Sequence, residues 1–249
     1  MDVATLDREI YNEAEAARIL QVPQSTLHWW LEGSVRGGRS YPPVIRAEPT
    51  GKRAVTWAEF IEAGLLRQYR RELHVKLAEL RRFIEILRDQ LGVPYPLACY
   101  LPAVGEGARL VVSADLAGPS AGTAGEGAKV ILDAQEQAGL RADLSLVAIT
   151  SNQLIWTPAA EAFLRRVDWD PNNLPAAWRP HEDSSSPVRC SPVTRFGRPA
   201  IRGISTEAIV EHLDAGEDEQ EVAEQFDLDV ADVRWALSFE HSLRQAAAA

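Results

Sequence analysis

Basic side chains gather in the first third of the sequence, between residues 34 and 55. Over the whole chain acids outnumber bases, and the formal net charge is −10. Residues 1–92, however, carry 14 Lys and Arg against 13 Asp and Glu, whereas residues 181–249 carry 6 against 14. A nucleic-acid contact needs positive charge on one face rather than a basic chain as a whole. The chemistry to expect here is phosphate binding, and the candidate side chains are Arg36, Arg39, Arg46, Lys52 and Arg53.

Patterns typical of catalysis are absent from the sequence. It has no Gly-Lys-Ser/Thr phosphate loop, no HExxH spacing and no paired nucleophile and base. Cys99 and Cys190 lie too far apart for a metal-binding pair, and both are expected to be reduced thiols. His181, Glu182 and Asp183 are adjacent, but a polar linker explains them more simply than a metal site. We therefore expect no enzyme, no metal and no cofactor.

A helix–turn–helix pattern precedes the basic cluster. Asn12 and Glu15 form a capping box for a first helix, and Pro23 interrupts the helical ladder before a second helix from about Gln24 to Leu31. In such a unit the second helix can enter the major groove of DNA. Two short helices around a proline also occur as plain packing units, so both interpretations stay open on this evidence. The positions predicted to face outward are Gln24, Ser25, His28 and Trp29.

Residues 34–55 are typical of a wing beside such a unit. Short strands are expected around Val44–Ala47 and Ala54–Thr56, joined by a turn-rich segment that begins at Glu48. A basic hairpin next to a recognition helix is suited to binding phosphates. A solvated, charged loop is the alternative interpretation.

Two longer helices are predicted after the wing. Thr56 and Glu59 form a second capping box, which opens a helix from Trp57 to about Arg71. A further helix from about Val75 to Leu91 ends at Gly92 and carries a heptad-like apolar stripe. The stripe would pack either inside the chain or against a second copy. A dimer would extend the DNA site, because one helix–turn–helix unit reads few bases.

These segments resemble the MerR-like winged-helix DNA-binding domain. The resemblance is carried by YNEAEAARILQVPQSTLHWWLEG, YPPVIR, AVTWAEFIEAGLLRQYR and VKLAELRRFIEILRDQLGVPYPLA. It implies that Gln24–Trp30, which includes Thr26, is the recognition helix and that residues 36–53 form the wing. The segment from Arg36 to Arg39 departs from the shorter link that is usual in this family.

The chain is predicted to divide into residues 1–92, 93–180, 181–191 and 192–249. The second range is expected to form a small β-rich domain, and the third is a linker by composition. The last contains three capped helices in a second arrangement like a helix–turn–helix. The predicted fold is α+β and mainly α, with an N-terminal winged helix-turn-helix, a β-containing middle domain and a C-terminal three-helix domain. The β-prone runs of the middle domain are Leu97–Leu101, Arg109–Ser113, Lys129–Leu132, Ser145–Thr150 and Leu154–Thr157.

A basic arm precedes the C-terminal helices. It reads RFGRPAIRG over residues 195–203 and suits an extended contact with a protein partner. A strand or loop packed on its own domain is the alternative. The helices behind the arm are rich in acids, which disfavours DNA on that face. The candidates for the protein contact are Arg195, Phe196, Arg198, Ile201 and Arg202.

No apolar run reaches the roughly 20 residues that a bilayer requires. The N-terminus MDVATLDREI carries acids and lacks the apolar core of a signal peptide. These two features predict a cytoplasmic protein without a membrane partner.

The tail SPVTRFGRPAIRGISTEAIVEHLDAGEDEQEVAEQFDLDVADVRWALSFE resembles a small helical domain, formerly of unknown function, found in antitoxins paired with PIN-type toxins. With QLIWTPAAEAFLRRVDWD and AAWRP, the whole chain is similar to actinobacterial VapB-class antitoxins. The resemblance implies an antitoxin that binds a PIN-type ribonuclease toxin and represses its own operon by binding operator DNA. A homodimer or a hetero-oligomer with the toxin is expected. The alternative is a one-component MerR-like regulator whose middle domain senses a small molecule.

Overall fold

The fold is α+β and mainly α, as the sequence predicts. The computed structural model describes residues 3–72, 76–98, 102–105, 109–112, 133–139, 147–150, 153–156, 162–163, 165–171 and 174–248. Within these residues, helices make up both ends of the chain and the strands are short and antiparallel. The elements are β1 Glu9–Asn12, α1 Glu13–Leu20, α2 Gln24–Glu32, β2 Ser34–Arg36, β3 Arg39–Tyr41, β4 Ala54–Thr56, α3 Trp57–Glu72, α4 Leu77–Leu91, β5 Pro102–Gly105, β6 Arg109–Val112, α5 133–138, β7 Val147–Thr150, β8 Gln153–Trp156, β9 Val167–Trp169, β10 Pro175–Trp178, β11 Ala200–Ile201, β12 Ile204–Ser205, α6 Thr206–Asp214, α7 Glu219–Phe226 and α8 Val230–Ala248.

The N-terminal unit is built around one hydrophobic core. β1 pairs antiparallel with β4, and apolar side chains of α1, α2, α3 and α4 share the core with them. Asn12 caps α1 by accepting a hydrogen bond from the backbone N–H of Glu15. Thr56 and Glu59 exchange both hydrogen bonds of a capping box at the start of α3. Gly92 ends α4 in the left-handed conformation, as the sequence predicts.

The apolar stripe of α4 is buried inside the chain. Leu80, Ile84 and Leu87 are almost inaccessible to solvent and belong to the N-terminal core. On the flank of the helix, Arg88 donates to the backbone carbonyl of Ile45 at 2.5 Å. Of the two alternatives for this stripe, packing within the chain is therefore the one that the structure adopts.

Strands dominate the described part of the middle segment. A four-stranded antiparallel sheet has the order β5-β6-β8-β7, and β9 pairs with β10. The predicted runs Arg109–Ser113, Ser145–Thr150 and Leu154–Thr157 correspond to β6, β7 and β8. The prediction of a strand at Leu97–Leu101 is wrong in its described part, where residues 97–98 form a turn. The run Lys129–Leu132 lies outside the described residues.

Aromatic packing joins β10 to the N-terminal unit. The indole N–H of Trp57 in α3 donates to the carbonyl oxygen of Pro175 at 2.5 Å. Phe60 packs edge-on against Trp178, with ring centroids 5.3 Å apart. Trp178 also exchanges two backbone hydrogen bonds of 2.8 Å with Cys190. The end of the middle segment therefore shares the N-terminal core.

Residues 181–191, predicted as a linker, run between the two hydrophobic cores. Residues 182–185 are exposed, but Ser186, Val188 and Cys190 are buried. Val188 belongs to the C-terminal core and Cys190 to the N-terminal core. The second half of the segment is thus a packed connection, because its small apolar side chains fit between the two units.

Three helices form the C-terminal unit, as predicted. Ser205 caps α6, and Asp218 and Glu221 form a complete capping box at α7. α8 begins directly after Asp229, which the sequence indicates as its cap. The helices share a second core, which includes Ile209, Val210, Val222, Val233 and Phe239.

Candidate functional site

The predicted outward face of α2 is accessible to solvent. Pro23 precedes the helix in an extended conformation, and Leu27, Trp30 and Leu31 bury the opposite side. The helical period leaves the remaining positions on one exposed stripe. Gln24 and Ser25 are exposed, and Thr26, His28 and Trp29 are partly exposed.

The projecting hairpin lies earlier in the chain than predicted. β2 and β3 are joined by the two residues Gly37 and Gly38, which both have positive φ, as the tightest hairpin turn requires. Every residue from Val35 to Pro42 is exposed. The guanidinium of Arg36 stacks on the indole of Trp29 at 3.6 Å from the ring centroid. The hairpin therefore begins beside α2 and presents Arg36 and Arg39.

Of the two strands predicted for the wing, the structure contains one. Ala54–Thr56 is a strand, but it pairs with β1 rather than with residues 44–47. The prediction of a strand at Val44–Ala47 is wrong. Val44 and Ile45 there are buried core residues in an irregular segment, and their backbone N–H groups both donate to the carbonyl of Trp30.

Arg46 does not belong to the exposed cluster in which the sequence places it. Only 7% of the residue is accessible to solvent. Its guanidinium pairs with the carboxylates of Glu59 and Glu32, and donates to the carbonyl oxygen of Ala54 at 2.7 Å. Burial lowers the pKa of Arg46, but the hydrogen bonds and charges of the two acids raise it above its usual value. Arg46 is therefore not available for a phosphate contact, and its ion pairs with Glu32 and Glu59 are structural.

Glu32, at the end of α2, holds the segment that carries Lys52 and Arg53. Its carboxylate accepts hydrogen bonds from the backbone N–H groups of Thr50 and Gly51 at 2.9 and 2.8 Å. Burial raises the pKa of Glu32, but the N–H of Gly51, the hydroxyl of Thr50 and the charge of Arg46 lower it below its usual value. These hydrogen bonds attach the loop to the end of α2. Local sequence patterns do not indicate this role, because Glu32 and the loop are separated along the chain.

Glu13 links α2 to the same loop from the other side. Its carboxylate is buried, with Oε1 2.9 Å from Nδ1 of His28 and Oε2 3.9 Å from the guanidinium of Arg53. Lys52 donates to Glu9 at 2.9 Å, a hydrogen bond that raises the pKa of the lysine. Glu13 thus contacts both His28 and Arg53, and Glu9 contacts Lys52.

The basic arm has an unusual backbone. Arg195, Phe196 and Gly197 have φ of 48°, 54° and 81°, so three successive residues are left-handed. Arg202 and Gly203 are also left-handed and form the two-residue turn of the β11–β12 hairpin. Among the candidate contact residues of the arm, Arg195, Phe196, Arg198 and Arg202 are exposed.

Ile201 is the exception among the candidate contacts of the arm. It is fully buried and belongs to the C-terminal core together with Val188 and Ile209. In the short β11–β12 hairpin its side chain faces the helices, because successive residues of a strand point to opposite sides. The prediction of Ile201 as a direct contact is therefore wrong.

The arginines of the arm have partners within the chain. Arg195 donates to the carbonyl of Gly203 at 2.6 Å. Arg202 lies 2.8 Å from Asp229, and Arg198 lies 3.6 Å from Glu15 of α1. These ion pairs are on the surface, where each has a small net stabilising effect and exchanges readily.

The arm also rests on the N-terminal unit. Tyr11 of β1 donates its buried hydroxyl to the carbonyl of Gly197 at 2.5 Å, and burial raises the pKa of Tyr11 well above its usual value. Arg8 donates to the carbonyl of Pro192 at 3.3 Å. A side chain at position 197 would meet the Tyr11 hydroxyl at 2.6 Å, so only glycine fits this contact. No local sequence pattern indicates this role of Tyr11.

The described residues offer no metal site and no membrane span. They contain no group of three or more His, Cys, Asp or Glu side chains arranged to hold a metal ion. None of the helices described there is long and apolar enough to cross a membrane. Cys190 is buried, which raises the pKa of its thiol far above the usual value.

Known proteins resemble this chain both over its C-terminal unit and over nearly its full length. Residues 188–239 match a family described as "Protein of unknown function (DUF433)". The chain is 39% identical over 97 residues to "Uncharacterized protein Rv2308" of Mycobacterium tuberculosis, a match that covers 39% of this chain and 41% of that protein. It is 27% identical over 246 residues to "Putative antitoxin VapB45" of the same organism, and this match covers 93% of each.

A solved structure has the same fold. The crystal structure of Rv2018 from Mycobacterium tuberculosis aligns with a TM-score of 0.67 and 25% sequence identity. The alignment covers 94% of this chain and 99% of that one. Together, the family match over the C-terminal unit and the full-length similarity support an antitoxin-like class for this protein.

Proposed function

We propose that this protein is the antitoxin of a type II toxin–antitoxin system. Its C-terminal unit would bind and neutralise a PIN-type ribonuclease toxin, and its N-terminal unit would bind operator DNA and repress the operon. The full-length similarity to an antitoxin and the family match over residues 188–239 support the class. The proposal places the protein in the cytoplasm, as a homodimer or as a hetero-oligomer with the toxin.

The exposed face of α2 beside an arginine-bearing hairpin is the observation that carries the DNA half of the proposal. Gln24, Ser25 and His28 lie on this face, where a recognition helix presents side chains to base edges. Four exposed basic side chains beside this face are suited to phosphates. They are Arg36 and Arg39 on the hairpin, and Lys52 and Arg53 on the fastened loop.

The toxin half of the proposal is supported by the arm and the acidic helices behind it. A PIN-type ribonuclease holds metal in a cluster of acids and binds RNA through a basic surface. Arg195, Arg198 and Arg202 would approach the carboxylates of the toxin through charge-assisted hydrogen bonds. At present Arg198 and Arg202 pair with acids of this chain and Arg195 with the carbonyl of Gly203, and the toxin would replace these partners. The acidic faces of α6 and α7 would cover its basic RNA path.

The DNA half is tested with the purified full chain and a labelled fragment from upstream of its gene. We expect binding at physiological salt, measured by fluorescence anisotropy. Gln24→Ala and His28→Ala should change which base substitutions in the fragment are tolerated, since each base contact that is removed is worth about 1–3 kcal/mol of discrimination. Binding to the fragment no tighter than to unrelated DNA would contradict this half.

The toxin half is tested with the protein product of the neighbouring open reading frame. The full chain should form a stable complex with it and abolish its ribonuclease activity on a labelled RNA. The alternative is favoured if the neighbouring product does not bind this chain and keeps its activity in its presence, while a small molecule releases the operator DNA. The protein would then be a one-component regulator rather than an antitoxin.

A further inference from the structure

Phe196 is the most exposed aromatic side chain that the structure describes, and its backbone is strained. The residue is 73% accessible to solvent and adopts φ 54° and ψ 41°. Val193, three residues earlier, is 69% accessible. A bulky residue in the left-handed region is uncommon, and such strain persists only where the surroundings impose it. The chain therefore holds an apolar ring outward at an energetic cost.

Hydrogen bonds fix the turn that carries this ring. The backbone N–H of Gly197 donates to the carbonyl oxygen of Thr194 at 3.0 Å, and that of Arg198 donates to the carbonyl oxygen of Arg195 at 3.1 Å. The Tyr11 hydroxyl ties the carbonyl of Gly197 to β1 at 2.5 Å. Because the turn is held at both ends, Phe196 is presented in one orientation before any partner arrives, which lowers the entropy cost of binding.

One arginine lies near the Phe196 ring and another precedes it in the chain. The guanidinium of Arg8 lies 6.0 Å from the centre of the Phe196 ring, and Arg195 precedes Phe196 in the turn. Both arginines are exposed. An apolar side chain with a cation beside it complements an apolar pocket with acids at its rim.

We infer that Phe196, with Val193 beside it, is the apolar anchor by which this protein docks into an apolar, acid-rimmed pocket of its toxin. This inference rests on the proposed function and adds to it the chemistry of recognition. The exposed arginines of the arm supply the rim of the contact, and its buried centre is apolar. Aromatic anchors seated in pockets dominate the energy of most protein interfaces. A single-stranded nucleic acid would also stack on a phenylalanine. The helices behind the arm are acidic, however, and favour a protein.

The experiment titrates the purified full chain with the purified product of the neighbouring open reading frame, using calorimetry. Phe196→Ala should weaken the complex at least about tenfold, as expected for a central anchor. Val35→Ala is the matched control, because Val35 is 74% accessible but lies on the β2–β3 hairpin, and it should change nothing. Arg8→Gln should weaken the complex less and reduce its dependence on salt, as a rim charge does.

A second variant separates binding from folding. Phe196→Gly removes the ring and also relieves the left-handed strain. We expect it to melt no lower than the natural protein and yet to bind the toxin as weakly as Phe196→Ala. A variant that loses affinity only because it unfolds would melt lower.

The outcomes are distinguishable. If the natural chain does not bind the neighbouring product, the toxin half of the proposed function fails. If it binds and Phe196→Ala binds within about twofold of it, the anchor is refuted and the proposed function stands. If Phe196→Ala leaves the toxin affinity unchanged but weakens operator binding, the ring contacts DNA. If it instead weakens self-association measured by sedimentation, the ring contacts a second copy. Either result would overturn the inference.

Discussion

The buried carboxylate of Glu13 lies 2.9 Å from the imidazole Nδ1 of His28. The same carboxylate faces the guanidinium of Arg53 at 3.9 Å, and the backbone N–H of Glu13 donates to the carbonyl of Arg53 at 3.0 Å. One acid at the start of α1 therefore orients a candidate base contact and a candidate phosphate contact. If this face binds DNA as proposed, the relationship makes it a positioned group of side chains rather than a diffuse basic patch.

Glu13→Gln is expected to weaken operator binding roughly fivefold, because losing one charge-assisted hydrogen bond costs about 1 kcal/mol of positioning. Glu48→Gln removes the same charge from an exposed position on the neighbouring loop. Simple electrostatics would raise DNA affinity in both variants. Fluorescence anisotropy measures the DNA affinity of both variants. A lower affinity for Glu13→Gln and a higher one for Glu48→Gln would identify the positioning role of Glu13, and equal increases in affinity would refute it.

Arg46→Gln is expected to destabilise the protein by about 3–5 kcal/mol, because it leaves the carboxylates of Glu32 and Glu59 without their shared cation. Urea unfolding followed by tryptophan fluorescence measures this change. Arg39→Gln on the hairpin removes an equal charge and should leave the unfolding midpoint unaltered while weakening DNA binding. Equal midpoints for the two variants would mean that the Arg46 network does not hold the fold.

Glu62 predicts a pH dependence of stability. Burial raises the pKa of this fully buried carboxyl from 4.5 to about 8, against the opposing hydrogen bond from the backbone N–H of Leu97. Between these two values the folded protein keeps the proton and the unfolded chain releases it. The free energy of unfolding should therefore fall as pH rises from about 4.5 to 8, by on the order of a few kcal/mol, and change no further above that.

Glu62→Gln removes this titration, so its free energy of unfolding should be less dependent on pH over the same window. Urea titrations at several pH values measure the slope for both proteins. Parallel slopes would show that Glu62 is ionised in the folded state.

Gly197→Ala and Gly203→Ala form a matched pair at the arm. Both glycines are left-handed, with φ of 81° and 84°, and alanine should cost each position about 1 kcal/mol. A Cβ at position 203 meets nothing within 4 Å, whereas at position 197 it meets the Tyr11 hydroxyl at 2.6 Å. Thermal melting should show an additional loss of about 1–3 kcal/mol for Gly197→Ala. Equal losses of stability for the two variants would mean that the Tyr11 side chain moves aside without a free-energy cost.

Local signals in the sequence predicted the helix ends well. The caps at Asn12, Ser205 and Asp218 depend on hydrogen bonds within one turn, so neighbouring residues suffice to define them. The phase of α1 was harder to predict. Ala14 at its start is exposed, whereas the charged Glu13 beside it is buried.

Features that depend on distant partners could not be predicted in the same way. Arg46 resembles its basic neighbours in the sequence, and its burial depends on Glu32 and Glu59, which lie in different helices. The β2–β3 hairpin turns at Gly37 and Gly38, whereas the turn-rich segment after Glu48 does not join two paired strands. The contact between the arm and Tyr11 joins residues 186 positions apart, a separation that local patterns do not report.

The proposed function divides the chain into an N-terminal unit whose positive charge binds a DNA duplex and a C-terminal unit that binds a protein. The slope of log affinity for operator DNA against log salt concentration distinguishes the two units. Arg39→Gln with Arg53→Gln should flatten this slope by about 0.9 for each phosphate that the protein no longer neutralises. Arg234→Gln with Arg244→Gln, which removes the same charge from α8, should leave the slope as it is. Two double variants with the same slope, or a flatter slope for the α8 pair, would refute this division.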